Sequence, residues 1–99
     1  MSNWNKIFLD LGRLKQSKRK RVIFTAKEGI RDIKNITSSC GCTRANYDAK
    51  TRELKVVYTP KKIPSHLQTQ GYYTSYKHLT ITYVEGEKEV LTFKAIITT

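Results

Sequence analysis

Leu79-Thr80-Ile81-Thr82-Tyr83-Val84-Glu85-Gly86-Glu87-Lys88-Glu89-Val90-Leu91-Thr92-Phe93-Lys94-Ala95-Ile96-Ile97 decides the fold class. Apolar side chains fall at 79, 81 and 83, and again at 91, 93, 95 and 97, with Thr80, Thr82, Thr92 and Lys94 between them. A period of two places alternate side chains on opposite faces of an extended chain, so each half reads as a strand with one buried face. Glu85-Gly86-Glu87 supplies the turn that folds the two halves into an antiparallel hairpin.

The same pattern recurs toward the N-terminus. Leu54, Val56 and Tyr58 alternate with Lys55, Val57 and Thr59, and Pro60 ends the strand because it has no N–H to give a ladder. Val22, Phe24 and Ala26 mark another strand; Leu9 and Leu11, with Ile7, mark the first, which should end at Gly12. Ile30, Ile33 and Ile36 recur every three residues, which a strand accommodates only with a bulge or added twist. Ile and Thr resist helix there and no good cap precedes them, so a strand is expected. A short strand over Thr43 to Tyr47 and a turn over Asp48 to Glu53, with Asp48 bonding the backbone ahead of it, complete the series. About seven short strands in 99 residues point to a single all-β domain, an immunoglobulin-like β-sandwich spanning residues 1–99.

Composition agrees. Thr, Val, Ile, Tyr, Phe and Trp supply 36 residues against 12 for Ala, Leu and Met, which favours strands over a helical bundle. An 11.5 kDa chain should fold to roughly 5,800 Å² of surface, enough for one modest core and too small for a deep catalytic cleft. Paired carboxylates, a nucleophile with its base, and a Gly-rich phosphate loop are all missing from the pattern, so the expectation is a binding domain with no catalytic residues and no cofactor.

Nineteen Lys and Arg against eight Asp and Glu leave a formal charge of +11, which calls for an acidic partner. The excess is uneven: residues 1–50 carry +8 and residues 51–99 carry +3. Arg13, Lys15, Lys18, Arg19, Lys20 and Arg21 fall within nine residues that contain no acid, and they are the candidate partner-binding residues. They read as one basic loop. The twelve-residue connection from Pro60 to Gly71, with Ile63 and Leu67 as exposed-looking apolar residues, is the second candidate. Two partner classes fit the cations. An acidic protein surface would be steered onto the basic run; nucleic acid would be held through its phosphates, with Tyr72, Tyr73 and Tyr76 beside Lys77 offered for base stacking.

No apolar run approaches the 18 residues needed to cross a bilayer, and Asp10 interrupts the early apolar stretch before it reaches the length of a signal sequence. Synthesis in the host cytoplasm, no membrane partner and reduced thiols at Cys40 and Cys42 are therefore expected. With Gly41 between them the two cysteines read as small buried residues at a tight strand end, and a disulfide so short is disfavoured. Cys40, Cys42, His66 and His78 are the available soft metal ligands, too scattered to make a metal centre the expectation. His66 reads as a solvated loop residue, His78 as part of a polar strand face, and Trp4 as either a plug at an open end of the sandwich or a residue at an interface.

Ser39-Cys40-Gly41-Cys42-Thr43 is the most distinctive pentapeptide. With Leu9-Asp10-Leu11-Gly12 before it, then Ile30, Ile33, Ile36, Tyr47, Leu54-Lys55-Val56-Val57-Tyr58 and Gly71 in order, it resembles a bacterial and bacteriophage family of small immunoglobulin-like domains of unknown function. That family is marked by a Ser-Cys-Gly-Cys-Thr signature and is similar to major-sperm-protein-like sandwiches. The chain departs from the family at Lys27-Glu28-Gly29, where an Asn-Thr-Gly type turn is usual, and at Thr51-Arg52-Glu53, where a Pro-Gly pair is usual. The secretion signal common among members is also missing. A basic, signal-less version is similar to the auxiliary or decoration proteins of tailed-phage capsids. The resemblance implies a virion protein in multiple copies, bound to the major capsid protein.

Overall fold

The computed structural model describes residues 3–99 and contains two stacked β-sheets. Seven strands follow in chain order: β1 (Phe8–Lys15), β2 (Lys20–Thr25), β3 (Ile33–Ser38), β4 (Thr43–Asp48), β5 (Glu53–Tyr58), β6 (Tyr72–Tyr83) and β7 (Lys88–Thr98). One sheet has the order β1-β7-β6-β3 and the other β2-β5-β4, the four-plus-three arrangement of an immunoglobulin-like sandwich. Every pairing is antiparallel except β1 with β7, which is parallel.

The central hairpin forms as its alternation requires. β6 and β7 pair from Tyr72 opposite Thr98 to Thr82 opposite Lys88, and Gly86 takes a φ of +99° in the turn between them. The inward rows bring Leu79, Ile81, Leu91, Phe93, Ala95 and Ile97 to essentially zero exposure. Val22, Phe24, Leu54, Val56 and Tyr58 face them from the other sheet. Tyr58 meets Phe93 edge to face at 5.1 Å and places its hydroxyl 3.3 Å from Ser75 Oγ. The three-residue spacing of the isoleucines has the cause expected of it: β3 slips register between Ile33 and Asn35, so Ile33 and Ile36 both reach the core side. Asp48 Oδ1 accepts the Lys50 N–H at 2.9 Å in the β4–β5 turn.

Four local expectations are corrected. β1 does not end at Gly12. Gly12 sits at φ +69° in a bulge whose N–H is held by Asp10 Oδ1 at 2.9 Å, and pairing with β7 resumes from Arg13 to Lys15. Residues 13–21 are consequently not a loop: only 16–19 are unpaired, and the basic run comprises the end of β1, a short crossing between sheets and the start of β2. Ile63 is not exposed but 2% accessible, since its N–H is held by Gln16 Oε1 at 2.9 Å and its side chain closes one end of the core. Cys40 and Cys42 are not thiols at a strand end. They lie in the turn between β3 and β4 with Cα atoms 5.2 Å apart, and they are joined as a disulfide. Gly41 lies exposed between them in that turn.

Trp4 closes the opposite end, 1% exposed, bridged to Ala26 and edge-on to Tyr47 at 5.9 Å. Its Nε1–H donates to Tyr83 Oη at 3.0 Å, and the Tyr83 hydroxyl donates to Glu89 Oε1 at 2.7 Å. Asn3 donates to the same carboxylate through its backbone N–H at 3.1 Å and through Nδ2 at 2.7 Å. Burial, reinforced by the Glu89 carboxylate, pushes the Tyr83 phenol up to about 12. Tyr83→Phe removes the hydroxyl that Trp4 and Glu89 share, and urea unfolding should show a loss of about 1–3 kcal/mol. The native state holds the Tyr83 proton more tightly than the unfolded chain, so this contribution is complete below pH 10 and is lost as pH rises toward 12. Urea midpoints measured from pH 8 to 11.5 should fall above pH 10 in the wild type, and less steeply in Tyr83→Phe.

Candidate functional site

Strand register sorts the charges along the long axis of a molecule measuring 47 × 22 × 21 Å. At the Trp4 end, the turns and strand ends carry Glu28, Asp32, Asp48, Glu53, Glu85, Glu87 and Glu89 against Lys6, Lys27, Arg31, Lys34, Lys50, Arg52 and Lys88, a neutral balance. Arg31 is paired there with Glu87 and lies 3.6 Å from Glu85, which raises its already high pKa, the Glu87 hydrogen bond first. Arg52 reaches Glu28 at 3.9 Å. Asp10, Lys55, Lys77 and Lys94 occupy the middle.

The other end is cationic without exception. Arg13 and Lys15 close β1, Lys18 and Arg19 occupy the crossing, Lys20 and Arg21 open β2, Arg44 opens β4, and Lys61 and Lys62 follow Pro60. All nine are exposed, and none makes an ion pair among the described residues. Short backbone links hold the segments together: Gln16 N–H to the Thr98 carbonyl at 2.8 Å and Ser17 N–H to the Pro60 carbonyl at 2.8 Å. The six residues singled out in the sequence are thus clustered, but they do not share one face. Arg13 and Lys15 belong to the four-stranded sheet, Arg21 to the outer face of the three-stranded sheet, and Lys18 to Lys20 wrap the end that joins them.

Two surfaces result. On the three-stranded sheet, Arg21 and Arg44 flank Val57 from opposite neighbouring strands, about 9.5 Å apart by strand spacing. A cleft of about 570 Å³ beside them is lined by Arg19, Gly41, Cys42, Arg44, Val57 and Thr59. On the four-stranded sheet, Arg13, Ile96 and Thr74 form one cross-strand row and Lys15, Thr98 and Tyr72 the next. A groove of about 450 Å³ there is lined by Arg13, Gly71, Tyr72, Ile96 and Thr98. Tyr72 and Tyr76 stand on this outer face, each about half exposed, with Lys94 opposite Tyr76. Tyr73 and Lys77 alternate to the inner side, so the expected group of three tyrosines beside Lys77 reduces to Tyr72 and Tyr76. Burial first, then nearby Tyr58, raises the Tyr73 phenol, whose hydroxyl lies at the hydrogen-bonding limit of the Lys61 carbonyl.

Arg44 escaped the sequence reading because no local run contains it, whereas Lys61 and Lys62 belong to the Pro60–Gly71 connection, the second candidate. Pairing of β4 with β5, and the return of the chain at Pro60, bring them to the basic run. The Pro60–Gly71 connection contributes its two lysines while its apolar residues turn inward, and His66 lies exposed on its single 3₁₀ turn, Ser65–Leu67. His78 is exposed on β6, with Nδ1 3.0 Å from Thr92 Oγ1. Among the described residues no three His, Cys, Asp or Glu side chains gather as a metal site, and no helix is long and apolar enough to cross a membrane.

No family model matches the chain, and no curated protein matches it. Solved structures do. A point mutant of the SrpA adhesin from Streptococcus sanguinis superposes with a TM-score of 0.52 at 12% identity, over 87% of this chain and 54% of that one. Extracellular cadherin domains 1–4 of protocadherin Gamma B7 give a TM-score of 0.53 at 13% identity, over 96% of this chain and 24% of that one. The chain thus spans about half and about a quarter of these larger molecules, and at such low identity what they share with it is architecture: this protein has the β-sandwich fold of adhesin and cadherin domains.

Proposed function

We propose that this domain binds and does not catalyse, and that it docks its cationic end onto an acidic protein surface as an accessory subunit of a virion shell. The observation that carries the reading is the segregation of charge: nine exposed, unpaired cations at one end of the sandwich and a neutral balance at the other. Like charges crowded on one end repel one another and weaken the isolated fold, and an acidic counter-surface removes that cost. Arg13, Lys15, Lys18, Arg19, Lys20 and Arg21 make the contact, joined by Arg44, Lys61 and Lys62. Arginine guanidiniums suit the bidentate capture of carboxylates, while the lysines add long-range attraction. A shell of identical acidic subunits, with the major capsid protein as the partner, offers many equivalent sites, so weak individual contacts add to a stable array. The choice of a capsid as partner rests on the likeness of a basic, single-domain immunoglobulin-like sandwich to phage decoration proteins, an analogy between folds.

A second reading rests on a separate observation. Tyr72 and Tyr76 stand half exposed on the outer sheet beside Arg13, Lys15 and Lys94, an arrangement of rings and cations suited to single-stranded nucleic acid.

Replacing Lys18, Arg19, Lys20 and Arg21 together with Gln tests the docking role. Because all four side chains are exposed, each replacement should change folding stability by no more than about 0.5 kcal/mol, as read from urea midpoints. Co-sedimentation with purified particles should fall at least about tenfold at low ionic strength, with the wild-type interaction weakening as salt rises. Wild-type protein missing from virions and unable to bind them would overturn the capsid assignment. For the nucleic-acid reading, a single-stranded oligonucleotide should be retarded at about 50 mM salt and released by about 200 mM. Tyr72→Ala and Tyr76→Ala should each then cost about 1–3 kcal/mol of binding. No retardation across that range excludes this second reading.

A further inference from the structure

The Cys40–Cys42 disulfide lies beside the cationic cleft, and docking makes no use of it. Four observations bear on its chemistry. The bond links residues only two apart in sequence, so it gains little of the chain-entropy stabilisation that a long closed loop provides. Both cysteines are half-buried, the intervening Gly41 is exposed, and Cys42 packs against the core on one side while it lines the cleft on the other. Cys42 and Gly41 border the cleft that also holds Arg19 and Arg44, so an anion approaching this surface is drawn toward the Cys42 side. Finally, the Cys42 N–H points at Cys40 Sγ at 3.2 Å, a donor already in place for negative charge on that sulfur.

The turn is also anchored independently of its sulfurs. Ser38 Oγ accepts the Cys40 N–H at 3.2 Å and donates to the Cys40 carbonyl at 2.8 Å. Ser39 Oγ accepts the His78 N–H at 3.0 Å, and the Thr59 N–H donates to the Cys42 carbonyl at 3.1 Å. Opening the bond therefore leaves the β3–β4 connection tied to both sheets.

We propose that Cys40 and Cys42 form a thiol–disulfide exchange site that accepts electrons from anionic thiols. A thiolate RS⁻ attacks Cys42 Sγ, forming a mixed disulfide as the Cys40–Cys42 bond breaks. The electron pair leaves with Cys40 Sγ, whose charge meets the Cys42 N–H. A second RS⁻ attacks the R-group sulfur of the mixed disulfide, releasing RSSR and the Cys42 thiolate. The two protons given up by the two RSH molecules end on Cys40 and Cys42. Overall, one protein disulfide and two RSH become two protein thiols and RSSR; run in reverse, the dithiol reduces a disulfide partner.

The test uses the oxidised full chain with reduced glutathione, which is anionic, and 2-mercaptoethanol, which is neutral, followed by alkylation and mass spectrometry. Millimolar glutathione should open the bond in the folded protein, with far-UV circular dichroism unchanged. Arg19→Gln and Arg44→Gln together should slow glutathione about fivefold at low salt while leaving the mercaptoethanol rate within about twofold. Loss of the fold on reduction would identify the bond as a structural staple and overturn the proposal. A disulfide that survives glutathione, or equal slowing of both thiols in the arginine variant, would overturn it as well.

Discussion

The register of β6 against β7 is the constraint on which the rest of this domain depends. These two long strands form the centre of the larger sheet and carry most of its inward-facing core, with β1 docking on one side and β3 on the other. A slip of one residue would turn Leu79, Ile81 and Tyr83 outward and bury Thr80 and Thr82 in their place. Tyr83 and Glu89 oppose such a slip chemically, because their hydrogen bond joins the two strands and also receives the Trp4 indole and Asn3. One buried polar cluster thereby ties the first described residues to the central hairpin. The sandwich also exposes 6592 Å², more than the roughly 5,800 Å² expected of a rounder chain this size, because its layers are drawn out along the strands.

Much of this was legible in the residue pattern, for reasons that are local. The β6–β7 hairpin, β5 and the Asp48 turn follow from period-two alternation and from side chains that bond their own backbone. The β3 bulge was legible as well, since isoleucines three apart in a strand require an extra residue. What escaped depends on long-range geometry. The Gly12 bulge kept β1 going where a glycine suggested an end, and so converted an apparent basic loop into two strand ends. Ile63 was hidden by a hydrogen bond to Gln16, 47 positions away, whose position no local pattern encodes. The disulfide was disfavoured from sequence because a bridge so short is unusual and reduced thiols were expected, yet the β3–β4 turn brings the two Cα atoms to 5.2 Å.

The candidate site shows the same division. The basic run could be seen in the chain, and its six residues do lie together. Its joining to Arg44 could not, whereas the inward turn of Tyr73 and Lys77 would have followed from extending the period-two row of Leu79, Ile81 and Tyr83 back along β6. Charge segregation emerges only when register assigns each residue to an end. A net charge of +11 spread evenly would give the surface no polarity; with nine of the cations in and beyond the last rows of both sheets, it gives the molecule a cationic pole.

That direction has a geometric corollary in the path of the chain. The first described residues are pinned beside Trp4 and Glu89, whereas Thr98 leaves beside Lys15 and Tyr72. The polypeptide therefore enters at the neutral pole and exits at the cationic one, across the long dimension of 47 Å. Asn3 lies at the pole opposite Lys15 and Thr98. The two ends of the described chain thus lie at opposite poles of the sandwich.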